Sequence, residues 1–282
     1  MSDQIDDIIR RALAEDAPWG DVTSEVFLPE GATASAALVA REPGVFSGGD
    51  VFARTFELVD PLATVELGLE DGEPFSAGVV LARVEGSARS VLRGERIALN
   101  LVQRMSGIAT LTARYVEAVA GTGARIVDTR KTTPGLRVLE RQAVRDGGGR
   151  NHRFSLSDAV MAKDNHLAVL AESGVSVGDA IRLARSRIGH TVHLEVEVDR
   201  IAQIEEVVAA GVDTIMLDNF TPDQLREGVA LVAGRALIEA SGGVNLDTVR
   251  AIAETGVDVI SVGALTHSVR ALDLGLDLSI AG

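Results

Sequence analysis

Apolar and polar positions along the first 120 residues follow short, distinct patterns. Over residues 3–15, Ile5, Ile8, Ile9 and Leu13 recur on one helical stripe with acids and arginines opposite, which predicts an amphipathic helix. Residues 32–42 (ATASAALVARE) alternate and read as a strand, and EPGVFSGGD then leads into a short helix, VFARTFEL. Two further strands are expected at 63–72 and 78–86, separated by Gly and Pro. Residues 90–120 read as helical with a break at Ser106-Gly107 and a glycine C-cap at Gly121. These elements make a small α/β domain.

From residue 124 the grammar changes. Short apolar runs alternate with amphipathic segments: 124–129, 159–163, 192–198, 213–218, 236–240 and 258–263 read as strands, with helical stretches such as 201–211 and 246–256 between them. Repeated strand–helix units imply a parallel sheet covered by helices. The expected fold is therefore α/β: an incomplete, TIM-like αβ-barrel of about six to seven strands with a smaller N-terminal α/β sandwich domain. The domain expectation is 1–112 for the first unit, with the tail 270–282 packing back on it, and 113–269 for the barrel.

Each predicted barrel strand ends in polar residues: Thr129-Arg130-Lys131, Lys163-Asp164-Asn165-His166, Glu197, Asp218-Asn219, Ser241-Gly242-Gly243 and Gly263. The C-terminal strand ends are where such barrels carry their sites. In 192–198 a period of two puts His193, Glu195, Glu197 and Asp199 on one face. An acidic inner face is costly unless cations neutralise it, so lysine, arginine or a divalent metal is expected opposite. Glu197, nearer the strand end, is the better candidate of the two glutamates. The glycines after the last two strands suit a phosphate, because backbone N–H groups can point at it.

Composition narrows the chemistry. The chain carries a net charge of −14, yet residues 128–153 hold seven Arg and Lys against three acids, +4, so the remainder sums to −18. Only Lys131 and Lys163 are lysines, and both lie at predicted strand ends. A compact ammonium suits phosphate oxygens or a Schiff base as a guanidinium does not. A local basic cluster in an acidic protein reads as a pocket for a polyanionic small molecule. The acidic balance argues against nucleic acid, no apolar run is long enough for a membrane span, and the acidic start is unlike a signal peptide. With no cysteine there is neither a thiol nucleophile nor a disulfide, and a cytoplasmic location is expected.

The motifs ERIALNLVQRMSGIAT, DTRKTTPGLR, AVRDGGGRNHR, KDNH, EVEVD, LDNF, ASGG and GALTHS, in this order, resemble quinolinate phosphoribosyltransferase, the carboxylating nicotinate-nucleotide pyrophosphorylase family. The similarity runs from about residue 20 to the end. It implies transfer of a phosphoribosyl group from 5-phosphoribosyl 1-pyrophosphate (PRPP) to quinolinate with loss of CO₂, a Mg²⁺ cofactor, and a homodimer or higher oligomer with a shared site. By resemblance, Arg130, His152, Arg153 and Lys163 gather the quinolinate carboxylates, with Thr129 beside them, while Lys131 reaches the ribose phosphates. Arg96 matches an arginine that enters a neighbouring subunit's site. Glu197 and Asp218 hold the ribose hydroxyls and the metal, and Ser241, Gly242, Gly243, Gly263 and His267 cradle the 5-phosphate.

Three other readings compete. A related transferase on the same scaffold could take another acceptor, a barrel lyase could use Lys131 or Lys163 as a Schiff-base amine, and a non-catalytic module could simply bind anions.

Overall fold

The computed structural model describes residues 2–172 and 174–281. Among the described residues twelve strands follow in chain order: β1 (Thr33–Ala40), β2 (Gly44–Val45), β3 (Thr64–Leu67), β4 (Pro74–Phe75), β5 (Val80–Ser87), β6 (Arg125–Val127), β7 (Val160–Ala162), β8 (Leu194–Val198), β9 (Thr214–Asp218), β10 (Leu237–Ser241), β11 (Val259–Ser261) and β12 (Leu274–Ala281). The chain divides into two compact units. The first comprises 1–113, 132–148 and 265–282; the second comprises 114–131 and 149–264.

The first unit is built on an antiparallel sheet in the order β12-β1-β5-β3. Alternation in β1 turns Ala34, Ala36, Leu38 and Ala40 inward, each essentially buried. On that face lie Phe52 and Phe56 of the helix Gly49–Val59, edge to face at 5.0 Å, together with Val91, Leu99 and Val102 of the long helix Ala88–Ala118. The last strand, β12, pairs antiparallel with β1 from Ala281 opposite Thr33 to Leu274 opposite Ala40. Residues 132–148 join this unit rather than the strands that flank them in sequence. Their helix, Arg137–Asp146, is fastened by Ser47 Oγ donating to Asp146 Oδ2 (2.6 Å) and by Arg104 Nε donating to the buried Glu140 (2.7 Å).

The second unit is the parallel sheet that the alternating pattern predicts. Six strands run in the order β6-β11-β10-β9-β8-β7, every pairing parallel. β6 and β7 remain at opposite edges of the ladder, so the barrel is incomplete. Val127 of β6 adds an isolated parallel bridge to Arg150, which brings the segment 150–153 alongside that edge.

The expected break at Ser106-Gly107 is absent: one helix runs unbroken from Ala88 to Ala118. A helical glycine costs only about 1 kcal/mol relative to Ala, and here both residues serve packing. Ser106 Oγ accepts from Ser47 N–H and donates to Ser47 O, both at 3.2 Å. A Cβ on Gly107 would sit 2.3 Å from the carbonyl oxygen of Arg270. Gly107→Ala should therefore destabilise the protein by about 1–3 kcal/mol through overpacking, seen as a lower urea midpoint; an unchanged or higher midpoint would contradict the close approach.

Candidate active site

A cavity of about 330 Å³ opens in the second unit. Its wall is written in period two along parallel strands: Met161 is followed by Lys163, Met216 by Asp218, and Glu239 by Ser241, with Glu197 from β8 and Ser261 from β11 at the same inner face. Thr129, Arg130 and Lys131 enter from the residues after β6, and His152 and Arg153 from the segment beside that edge. Five basic side chains thus meet three carboxylates around one small volume.

Local structure explains how the basic residues are held. Asp128, fully buried, accepts from the backbone N–H of His152 and from Asn151 Nδ2, both at 2.7 Å. The Arg153 guanidinium donates to Ala159 O at 2.9 Å. Burial, then the charge of Arg130, presses the Arg153 pKa down, as expected where cations are gathered ahead of an anion. Lys163 forms an ion pair with Glu197. Thr129 Oγ1 accepts from the backbone N–H of Lys131 at 3.1 Å and shapes the turn that carries it.

Beneath them sits a buried triad. His152 Nε2 lies 3.2 Å from Glu195 Oε2 and 3.4 Å from Glu239 Oε2. Burial works against charging the ring, but the hydrogen bonds to the two glutamates outweigh it and hold the His152 pKa up to about 10. Burial in turn pushes the Glu195 carboxyl above its ordinary range.

The phosphate candidates after the last strands form a tight loop pair. Asn219, in the left-handed region at φ 59°, donates its backbone N–H to Ser241 O at 2.9 Å. A Cβ on Gly242 (φ 89°) would fall 2.2 Å from Asn219 Oδ1, so this loop requires glycine on both counts.

Of the residues singled out from sequence, Thr129, Arg130, Lys131, His152, Arg153, Lys163, Glu197, Asp218 and Ser241 line the cavity together. Gly242, Gly243 and Gly263 follow β10 and β11 in the same unit without lining it, while Arg96 and His267 belong to the first unit and are not lining residues. The side chain of Asp164 lies outside the described residues. Met161, Met216, Glu239 and Ser261 were missed, and Glu195 was passed over for Glu197. Stepping back two residues from each polar strand end would have found the four missed residues. Asp128→Asn turns one acceptor into a donor against two N–H groups, so the unfolding free energy should fall by about 1–3 kcal/mol. An unshifted urea midpoint would mean the 151–153 turn holds itself.

The chain is similar to known proteins along nearly its whole length. Residues 21–106 match the N-terminal domain and residues 108–277 the C-terminal domain of quinolinate phosphoribosyl transferase. The nicotinate-nucleotide pyrophosphorylase [carboxylating] of Mycobacterium leprae is 45% identical over 278 residues, covering 96% of each chain. The probable enzyme of the same name from Bacillus subtilis is 42% identical over 278 residues, 99% of this chain and 94% of that one. A crystal structure of NadC from Streptococcus pyogenes superposes with a TM-score of 0.95 at 42% identity, covering 100% of this chain and 99% of that one. With two family models spanning nearly all of its length and relatives this similar end to end, the chain belongs to the quinolinate phosphoribosyltransferase family.

Proposed function

We infer that the protein transfers the phosphoribosyl group of PRPP to quinolinate and decarboxylates the product, giving nicotinate mononucleotide, pyrophosphate and CO₂ in NAD biosynthesis. The observation that carries this reading is the cavity itself: Arg130, Lys131, His152, Arg153 and Lys163 converge on one small volume in an acidic protein. Both substrates are strongly anionic, and long-range repulsion by the rest of the chain must be overcome locally.

Arg130, His152, Arg153 and Lys163 take the two carboxylates of quinolinate, with the planar guanidiniums suited to paired oxygens. Lys131 faces the phosphates of PRPP as a point charge. Ser241, with the N–H groups of the Gly242-Gly243 and Gly263 loops, receives the 5-phosphate; His267 is assigned there by resemblance. Glu197 and Asp218, on neighbouring strands, hold the ribose hydroxyls. They also offer hard carboxylate oxygens at one wall of the cavity, a donor set that fits Mg²⁺. When bound, Mg²⁺ supplies positive charge for the departing pyrophosphate.

The chemistry follows from this placement. As the C1–oxygen bond of PRPP breaks, carboxylates near C1 stabilise the oxocarbenium-like centre. The quinolinate nitrogen supplies the electron pair for the new bond and becomes positively charged. The bond from C2 to its carboxylate then breaks, the electron pair staying on C2 beside the cationic nitrogen, CO₂ leaving and a proton taking its place. The cations must orient the C2 carboxylate without binding it so tightly that its loss is opposed.

The lyase alternative fits less well, because a simple carbonyl substrate does not call for Arg130, His152 and Arg153 gathered around both lysines in one cavity. Among the described residues no helix is long and apolar enough to cross a membrane. We place the enzyme in the cytoplasm, as a homodimer or larger assembly in which Arg96 serves a partner's site.

Release of both CO₂ and pyrophosphate from quinolinate and PRPP, lost when nicotinate replaces quinolinate, is the expected result. Pyrophosphate without CO₂ would point to a different acceptor. In the same assay Lys131→Ala and Lys163→Ala should each lower turnover at least about hundredfold, as loss of charge stabilisation does, with circular dichroism unchanged; near-normal activity in either would refute its role. Mixing Arg96→Ala with Lys163→Ala protomers should regain part of the activity, and verified mixed oligomers that stay inactive would rule out the shared site.

A further inference from the structure

Glu197 and Asp218 face the cavity from neighbouring strands, but they are held in different ways. Glu197 is paired with the ammonium of Lys163. Asp218 has no cationic partner among the described residues; its Oδ2 accepts from the side-chain amide of the next residue, Asn219, at 2.6 Å. Asn219 does not itself line the cavity.

The backbone at Asn219 is costly to keep. Its φ of 59° lies in the left-handed region, where glycine is relaxed and other residues are strained. The other non-glycine residue of this kind among the described residues, Ala233, ends the helix Pro222–Val232. Asn219 instead follows β9 at the site, where retained strain points to a role for the side chain.

Three contacts fix that side chain. The backbone N–H of Asn219 donates to Ser241 O at 2.9 Å, joining the ends of β9 and β10. Nδ2 reaches Asp218. Oδ1 lies where a Cβ on Gly242 would be 2.2 Å away, so the loop after β10 walls the amide on its other side. Turning the amide over would set Oδ1 against the Asp218 carboxylate, acceptor against acceptor, so the donor stays on Asp218. The type of donor matters as well. A guanidinium or ammonium in this place would orient the carboxylate and cancel its charge, as Lys163 does for Glu197. A neutral amide orients it and leaves the whole negative charge to the ligand.

We propose that Asn219 is a positioning residue for PRPP: its amide aims the Asp218 carboxylate into the cavity and keeps that charge free for the ribose hydroxyls and Mg²⁺. The proposal rests on the assignment of Asp218 to the PRPP end of the site. The quinolinate end is held by other means, with Asp128 clamping the 151–153 turn and Glu197 pairing with Lys163.

The test is Asn219→Gly in the full-length enzyme. Glycine is relaxed at φ 59° and retains the N–H to Ser241 O, so this variant removes the amide and leaves the backbone in place. Its urea midpoint should match or exceed that of the wild type. The KM for PRPP should rise about tenfold, the factor that corresponds to about 1.4 kcal/mol, with the KM for quinolinate within about twofold. The calorimetric Kd for PRPP, measured without quinolinate and so without turnover, should rise by the same factor. In an Asp218→Ala background, adding Asn219→Gly should change kcat/KM for PRPP by less than about twofold, because a residue acting through Asp218 then has nothing to aim.

An unchanged KM and Kd for PRPP in Asn219→Gly would overturn the proposal. Equal rises for both substrates with a fallen urea midpoint would also overturn it, since a merely structural residue behaves that way. So would a further loss of about tenfold in the Asp218→Ala background, since Asn219 would then act by another route. A wild type that neither binds nor consumes PRPP would defeat the functional reading itself, an outcome distinct from an active wild type with an unaffected Asn219→Gly.

Discussion

The site depends on the mutual neutralisation of charges that could not be gathered singly. Arg130, Lys131, His152, Arg153 and Lys163 surround a cavity of about 330 Å³. Without counter-charge such a cluster would repel itself and lose the hydration each group has in the unfolded chain. Glu197 answers Lys163 directly, and Glu195 with Glu239 answers His152 from below. The resulting pocket is charged enough to take polyanions yet tolerable to the empty protein. An anionic substrate then exchanges water for ready-placed donors, with little reorganisation needed when charge develops.

The parallel sheet makes that arrangement possible. On an inner face, side chains two residues apart point the same way, so each strand can offer one residue at its end and another one layer deeper. The upper layer, with Lys163, Glu197, Asp218 and Ser241, lines the cavity at the strand ends. The lower layer supplies Met161, Met216 and Glu239, where apolar bulk and a buried acid give the cavity its floor. The turn after β6 and the segment clamped by Asp128 then bring in the arginines, which no strand of the sheet carries at its end.

In the first unit the governing constraint is close approach of backbones. Gly107 admits Arg270 O against a helix that stays continuous, and β12 returns across the whole chain to complete the sheet beside β1. Both are long-range contacts, with partners more than 150 residues apart, invisible to any local window.

Local sequence determined the element types and the chemistry. Alternation in 33–40, the strand–helix rhythm from 124 onward and the polar strand ends all express local periods of two and 3.6, which depend only on backbone geometry. The two lysines, the basic run 128–153 and the acidic face of 192–198 announced a polyanion site for the same reason: charge is written residue by residue. What only the tertiary structure decided is which charges meet. Glu239 looks like an accident in an apolar strand until β10 stands two places from β8 and both carboxylates reach one imidazole. Ser106-Gly107 looks like a helix break until a distant carbonyl is packed against it. The helix Arg137–Asp146 follows the barrel rhythm in sequence, yet Ser47 and Arg104 fasten it in the first unit. Each of these turns on a partner remote in the chain, and a residue's energy in a fold is set by its neighbours in space, which the chain names only once it has folded.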